Sequence, residues 1–162
     1  MKIAYFALSA FVITPMPWYV NWLCGLPLIA LTVVIHVSGL MLIDEKISRV
    51  QKDVMKRRSY SAVFVVIVGT TAMLAALLHG VEGAIWAIAY RLVGAMADYS
   101  DAVLYSLSAM TTYGHTNLLL EKRWQLMGAL EALNGLLLFG LTTAFLFGII
   151  LRISDLRGGK SR

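Results

Sequence analysis

Residues 111–116, with the sequence TTYGHT, place hydroxyl groups, a glycine and a histidine directly after a short apolar run. Inside a membrane, irregular backbone can lie only where it lines a pore or is buried in protein. If several chains met in a ring, successive carbonyl and threonine oxygens could replace the water around a dehydrated cation. The glycine tolerates the positive φ that this arrangement needs. The segment therefore predicts an ion-selective constriction. Its lining would be Thr112, Tyr113, Gly114, His115 and Thr116.

His115 has two interpretations within this constriction. Its imidazole could pack sideways behind the lining as an aromatic wedge. Alternatively, several copies could form a pH-sensitive ring at the pore mouth, since an unperturbed histidine titrates at about pH 6.5.

Three further ionisable residues border apolar segments: His79, Glu82 and Glu131. His79 and Glu82 are three residues apart, so they share one face of a helix. Because charge at membrane depth is costly unless it is paired, we expect all three to support the constriction through hydrogen bonds. The chain then holds no cofactor, and no metal beyond the permeant cation. The alternative is a metal site formed by these residues and His36. For His36 itself, an interhelical hydrogen bond is the simpler prediction.

The composition of the chain is that of an integral membrane protein. Of its 162 residues, 59% are hydrophobic and 14% are charged, whereas soluble domains carry roughly 25% charged residues. The net charge of +5 does not predict nucleic-acid binding, because the positive residues cluster beside apolar runs. The chain has no glycine-rich phosphate loop, and we expect no enzymatic activity.

Three apolar runs approach or exceed the ~20 residues that cross a hydrocarbon core. They are residues 22–43, 60–80 and 133–151, the last lengthened by the turns before it. The second stays mostly apolar as far as residue 95. A continuous helix over 60–95 would be roughly 54 Å long, so we expect it to protrude, tilt or break near Gly80 and Gly83.

A shorter helix is predicted between the second and third runs. Asp98 and Asp101 are typical N-cap residues, and a helix over residues 101–111 reaches about 14 Å, or halfway, into a bilayer. Its place directly before the constriction predicts a re-entrant pore helix and a filter loop. A long helix over 125–152 would follow and line the inner pore.

The charge pattern predicts the topology. Basic clusters in the linker 44–59 and after residue 151 place both segments in the cytoplasm. The linker reads as a solvated helix that continues the first span. The N-terminus then lies outside, with residues 3–17 at the outer interface. We expect a multi-pass protein of the cell (inner) membrane.

Two groups of residues predict contacts with lipid. The first is an aromatic belt at the outer interface, formed by Trp18, Tyr19 and Trp22. The second is a cytoplasmic contact with anionic lipids through Lys56, Arg57 and Arg58.

Residues 79–150 resemble the pore module of small bacterial potassium channels, a two-pore-domain-like or "ion channel" family. The resemblance lies in His79 to Glu82 with Trp86, in the run 101–112, and in the run 123–145 that contains Glu131 and Asn134. It implies an all-α membrane protein with three transmembrane helices, a re-entrant pore helix and a filter loop. It also implies a homotetramer that passes potassium, with sodium as the alternative ion.

The predicted elements divide the chain into three parts. Residues 1–59 hold the interfacial segment, the first span and the basic linker. Residues 60–152 form the pore domain, and residues 153–162 form a basic cytoplasmic tail. In the last helix, Gly135 and Gly140 would pack or bend during gating, while Thr142 and Thr143 would line the cavity below the filter.

The filter departs from the family pattern of Thr-x-Gly-Tyr-Gly-Asp. Without gaps, His115 stands at the aromatic position and Thr116 at the second glycine. A β-branched residue resists positive φ by about 1–2 kcal/mol, so the outer carbonyl ring should differ. A selective potassium pore, a weakly selective cation pore and a non-conducting membrane assembly all stay open, beside the metal-binding alternative of His79, Glu82 and Glu131.

Overall fold

The structure is a computed structural model that describes residues 17–54, 60–114 and 117–158. Four α-helices account for most of them. These are α1 (Trp18–Val54), α2 (Tyr60–Leu92), α3 (Tyr99–Met110) and α4 (Gln125–Gly158), with a 3-10 turn at Lys122–Trp124 before α4. Within the described ranges the chain forms no strand, so the prediction of an all-α protein is confirmed there.

Three of the helices are long and apolar enough to cross a membrane. The segments that meet this criterion are Trp18–Arg49, Ser61–Leu92 and Lys122–Asp155. Each covers one of the three predicted apolar runs, except that the second segment begins one residue after Tyr60. The chain is therefore a multi-pass membrane protein by the length and composition of its helices.

Two apolar clusters show how the long helices run. The large apolar cluster joins the start of α1, the end of α2, α3 and the start of α4, around Trp86, Tyr90 and Met127. The small apolar cluster joins the opposite ends of the three long helices, around Ile67 and Ile149. The helices α1 and α4 therefore run in one direction and α2 in the other.

The helix α2 is continuous through Gly80 and Gly83, so the break considered there does not occur. It ends at Leu92; just after it, Gly94 has a φ of +70° and the Ala95 N–H bonds the Tyr90 carbonyl at 2.8 Å. The left-handed conformation of Gly94 turns the chain so that the Ala95 N–H can satisfy this carbonyl in the last turn of the helix.

The helix α1 begins and ends beyond the predicted span 22–43. Pro17 precedes its first residue, where a missing N–H costs nothing, and the exposed aromatic side chains of Trp18 and Tyr19 follow. At the other end α1 continues to Val54, which confirms as far as that residue the helical extension predicted for the linker 44–59; residues 55–59 lie outside the described residues. Residues 3–16 of the predicted interfacial segment lie outside the described residues, as do Lys56, Arg57 and Arg58.

Candidate functional site

The helix α3 begins where the sequence predicts an N-cap. The Asp98 carboxylate accepts a hydrogen bond from the Asp101 N–H at 3.1 Å, and Asp98 itself has an extended backbone. The helix ends at Met110, with Thr111 as its C-cap. Its observed range, Tyr99–Met110, thus starts two residues before and ends one residue before the predicted range 101–111.

A buried hydrogen-bond group fixes α3 against both neighbouring helices. The Ser106 hydroxyl contacts the Gly83 carbonyl of α2 at 2.7 Å and also bonds Glu131 Oε1 of α4. The second oxygen of Glu131 accepts a hydrogen bond from the Tyr90 hydroxyl at 2.5 Å. We call Tyr90, Ser106 and Glu131 the Glu131 group; its side chains lie in the protein interior, where such polar contacts are strong.

Glycine permits the close approach of α3 to the long helices. A Cβ at Gly135 would lie 2.7 Å from Met110 Cα and closer still to the Met110 carbonyl oxygen. A Cβ at Gly83 would lie 3.0 Å from a methyl group of Leu107. Gly135 therefore serves close packing, because the backbone of α3 occupies the space that a side chain would need.

The end of α3 lies well along α4. From Gln125, the first residue of α4, to Gly135 there are ten residues, or about 15 Å of helix rise. Since Met110 touches Gly135, the loop after α3 begins at that level of α4.

The loop that follows α3 has an irregular backbone. Thr112 and Gly114 both have positive φ, +55° and +79°, and they are separated by Tyr113, whose side chain is 86% exposed. A positive φ is strained for a β-branched residue such as threonine. His115 and Thr116, the outer part of the predicted filter, lie outside the described residues.

A second buried polar group joins the three long helices. Glu82 Oε1 lies 2.8 Å from His36 Nδ1, and Glu82 Oε2 lies 3.2 Å from His79 Nδ1. The Thr142 hydroxyl closes the group, at 3.0 Å from His36 Nε2 and 3.1 Å from His79 Nε2. His36 and Glu82 are fully buried, and His79 and Thr142 nearly so. We call these four residues the histidine group.

The structure separates two acids that the sequence treated alike. Glu82 belongs to the histidine group, whereas Glu131 bonds Tyr90 and Ser106. The metal set considered from the sequence is therefore corrected: His36, His79 and Glu82 place ligand atoms within 4.8 Å of one another, and Glu131 is not among them. The interhelical hydrogen bond predicted for His36 is present, with Glu82 and Thr142 as its partners.

The four residues predicted for the inner helix fall in different surroundings. The Thr142 hydroxyl is buried in the histidine group within one chain, so the expectation that it lines an open cavity is corrected. Thr143 is exposed, and its hydroxyl bonds the Phe139 carbonyl one turn earlier. A Cβ at Gly140 would meet no atom within 4 Å, unlike one at Gly135.

Sequence reasoning missed Tyr90 and Ser106 as partners of Glu131. Ser106 carried a weak signal, since a hydroxyl in the middle of a short, mostly apolar helix needs a partner when it is buried. It also missed Asn21, whose amide donates to the Arg123 carbonyl and accepts from the Met127 N–H at the start of α4. No protein-family model, no curated protein and no solved structure matches this chain.

Proposed function

We propose that four copies of this chain form a potassium-channel-like pore that passes potassium, or monovalent cations with weak selectivity, down their gradient. In this proposal α3 is a re-entrant pore helix, residues 112–116 are the filter, and α4 lines the inner pore. The chain then acts as a passive channel and catalyses no reaction.

One observation carries the proposal: a short helix that ends partway along two membrane-length helices and is followed by an exposed, irregular loop. The end of α3 meets α4 at Gly135, about 15 Å along α4 from its first residue, Gln125. This distance is close to half of a ~30 Å hydrocarbon core. Exposed backbone at this depth needs protein or a water-filled pore around it. Further copies of the chain would supply that environment.

The geometry of the loop also supports a filter. Positive φ at Thr112 and Gly114, with Tyr113 between them, is an alternation of backbone conformation of the kind that turns successive carbonyls towards one axis. The carbonyl end of α3 carries partial negative charge, which favours a cation beside it. The Glu131 group would hold this helix end in place during ion passage.

The proposed orientation follows from charge. Cytoplasmic placement of the basic linker and of the tail puts the α3 end of the bundle on the outer side of the inner membrane. The N-terminus then lies outside and the C-terminus in the cytoplasm. Anionic lipids are the proposed partners of Lys56, Arg57 and Arg58.

The test is ion flux through purified protein in liposomes, with the mass of the detergent-solubilised complex measured in parallel. We expect a tetramer that passes potassium, excludes a large organic cation and is blocked by barium. The potassium-to-sodium flux ratio then reports how selective the filter is. A folded complex without flux would favour the non-conducting assembly, and equal flux of the large cation would contradict a filter.

A matched pair of glycine variants ties the flux to the loop. A Cβ at Gly114 and one at Gly69 would both enter open space, yet only Gly114 has a positive φ. Gly114→Ala should therefore strain the loop by about 1–2 kcal/mol and reduce potassium flux, while Gly69→Ala should leave the flux unchanged. Equal flux in both variants would argue against residues 112–116 as the pathway.

A further inference from the structure

The histidine group has fewer hydrogens than contacts when its two imidazoles are neutral and Glu82 is ionised. Its four residues make four contacts in a closed loop, from Glu82 through His36, Thr142 and His79 back to Glu82. Two neutral imidazoles and one hydroxyl supply three hydrogens in total, and the carboxylate supplies none. At least one of the four contacts must then join two acceptor atoms.

The unsatisfied contact can be identified. His79 Nδ1 and Glu82 Oε2 are 3.2 Å apart, yet within the described part of the chain both are buried atoms without a hydrogen-bond partner. Their separation is short enough for a hydrogen bond, so the angle is what fails. A single proton between them would be poorly aligned, whereas a larger cation can sit off the line that joins the two atoms.

The distances suit a tetrahedral metal ion. Zinc binds histidine nitrogen at about 2.0–2.1 Å and carboxylate oxygen at about 2.0–2.2 Å. For two such ligands 3.2 Å apart, the angle at the metal is about 100°, close to the tetrahedral value. The third ligand is a nitrogen of His36, and all three ligand atoms lie within 4.8 Å of one another. Neighbouring ligands of tetrahedral zinc are about 3.3 Å apart, so the side chains need to close in by ~1.5 Å at most.

Thr142 is placed to orient both histidines. A ligating histidine usually donates its other ring N–H to a partner that fixes its tautomer. The Thr142 oxygen lies 3.0 Å from His36 Nε2 and 3.1 Å from His79 Nε2, and its two lone pairs can accept both N–H groups. When an ion is bound, His36 would carry its proton on Nε2 instead of on the Nδ1 atom that bonds Glu82 in this structure, and both Nδ1 atoms would turn free lone pairs towards the ion beside Glu82.

We propose that His36 Nδ1, His79 Nδ1 and the Glu82 carboxylate form a binding site for a divalent transition-metal ion, with zinc as the best match. Two histidines and one carboxylate are a common zinc-ligand set, and a fourth position stays open for water or an anion. The Phe139 ring stacks on the His79 ring, with 4.3 Å between the ring centroids. The bound ion would cross-link α1 to α2, and it does so whether or not the chain conducts ions.

The first test measures metal binding by the full-length wild-type chain in detergent, purified without a polyhistidine tag. Zinc is titrated against a competing chelator, and cobalt is added separately because its visible absorption reports coordination number. We expect one ion per chain and a four-coordinate cobalt spectrum. Absence of stoichiometric binding, or a six-coordinate spectrum, would overturn the proposal and leave a shared proton as the missing cation.

The second test compares variants. The chain has three histidines, and His115 is the one outside the histidine group, so His115→Gln is the matched control. His79→Gln and His36→Gln should each weaken zinc binding by more than the roughly 10–100-fold that loss of an outer partner costs. His115→Gln should retain wild-type affinity. Equal loss in all three variants would overturn the assignment.

The third test uses a pair of variants at Thr142, so that the proposal does not depend on ligand variants that could misfold. Thr142→Val keeps the shape of the side chain but removes the acceptor, so zinc should bind about 10–100-fold more weakly. Thr142→Ser keeps the hydroxyl and should restore most of the affinity. The same affinity in the valine and serine variants would show that the hydroxyl does not orient the ligands.

Discussion

Replacement of Gly135 with alanine should destabilise the protein, whereas the same change at Gly148, on the same helix, should not. A Cβ at Gly135 would lie 2.7 Å from Met110 Cα and closer still to the Met110 carbonyl oxygen, and ordinary contact begins at 3.4 Å, so the two groups must separate by at least 0.7 Å. The obstacle is backbone rather than a flexible side chain. The Glu131 group holds α3 through Ser106, which limits how far the helix end can retreat.

The changes in the free energy of unfolding should have opposite signs in the two variants. Overpacking of a dense core typically costs about 1–3 kcal/mol, while alanine gains about 0.5–1 kcal/mol over glycine within a helix. At Gly148 only the gain applies, because a Cβ there meets no atom within 4 Å. We therefore expect Gly135→Ala to be less stable than Gly148→Ala by about 1–3 kcal/mol.

Equilibrium unfolding in mixed detergent micelles, followed by circular dichroism, measures this difference. Potassium flux in liposomes is the second readout, and it should fall in Gly135→Ala because the start of the proposed filter moves with Met110. If the two variants unfold at the same denaturant concentration, α3 does not approach α4 as closely as the structure describes. If stability falls while flux and its selectivity persist, the packing is correct and the filter assignment is wrong.

Two further predictions concern the ends of α3 and its buried contacts. Tyr90→Phe removes a hydrogen bond to the buried Glu131 and should cost about 1–3 kcal/mol in the unfolding assay; Tyr99→Phe, on the exposed surface, should change stability by less than about 0.5 kcal/mol. Thr112→Gly should raise stability by about 0.5–1 kcal/mol because it relieves a positive φ of +55°. The same change at Thr111, whose φ is −85°, should lower stability by a similar amount, and similar losses at 111 and 112 would contradict the strained conformation.

The positions of the helices were predictable because they depend on local chemistry. Asp98 caps α3 as its residue type suggests, and α4 begins at Gln125, the first residue of the predicted helix 125–152. The extension of α1 beyond residue 43 was also predictable, since Glu45 and Arg49 form an ion pair one turn apart. Each of these features is decided by residues a few positions apart in the sequence.

The partners of the buried polar residues were not predictable in the same way. Glu82 and Glu131 look equivalent in the sequence, since each is an acid beside an apolar run. Which residues they meet depends on how the helices rotate against one another, and no local pattern fixes that rotation. The break considered near Gly83 was wrong for the same reason. This glycine accommodates Leu107 of α3, and the helix α2 is continuous through it.

The buried polar groups also fix the position of each helix along its neighbours. In a lipid environment an apolar surface gains little from meeting another apolar surface, because lipid tails are as apolar as leucine. The two apolar clusters could therefore re-form after a shift of one helical turn with modest loss. The histidine group, the Glu131 group and the Asn134 amide that donates to Thr32 could not, because each would leave unpaired polar atoms inside the bundle. These side chains therefore specify the helix register, and a designer who replaced them all with leucine would expect a bundle with several competing alignments.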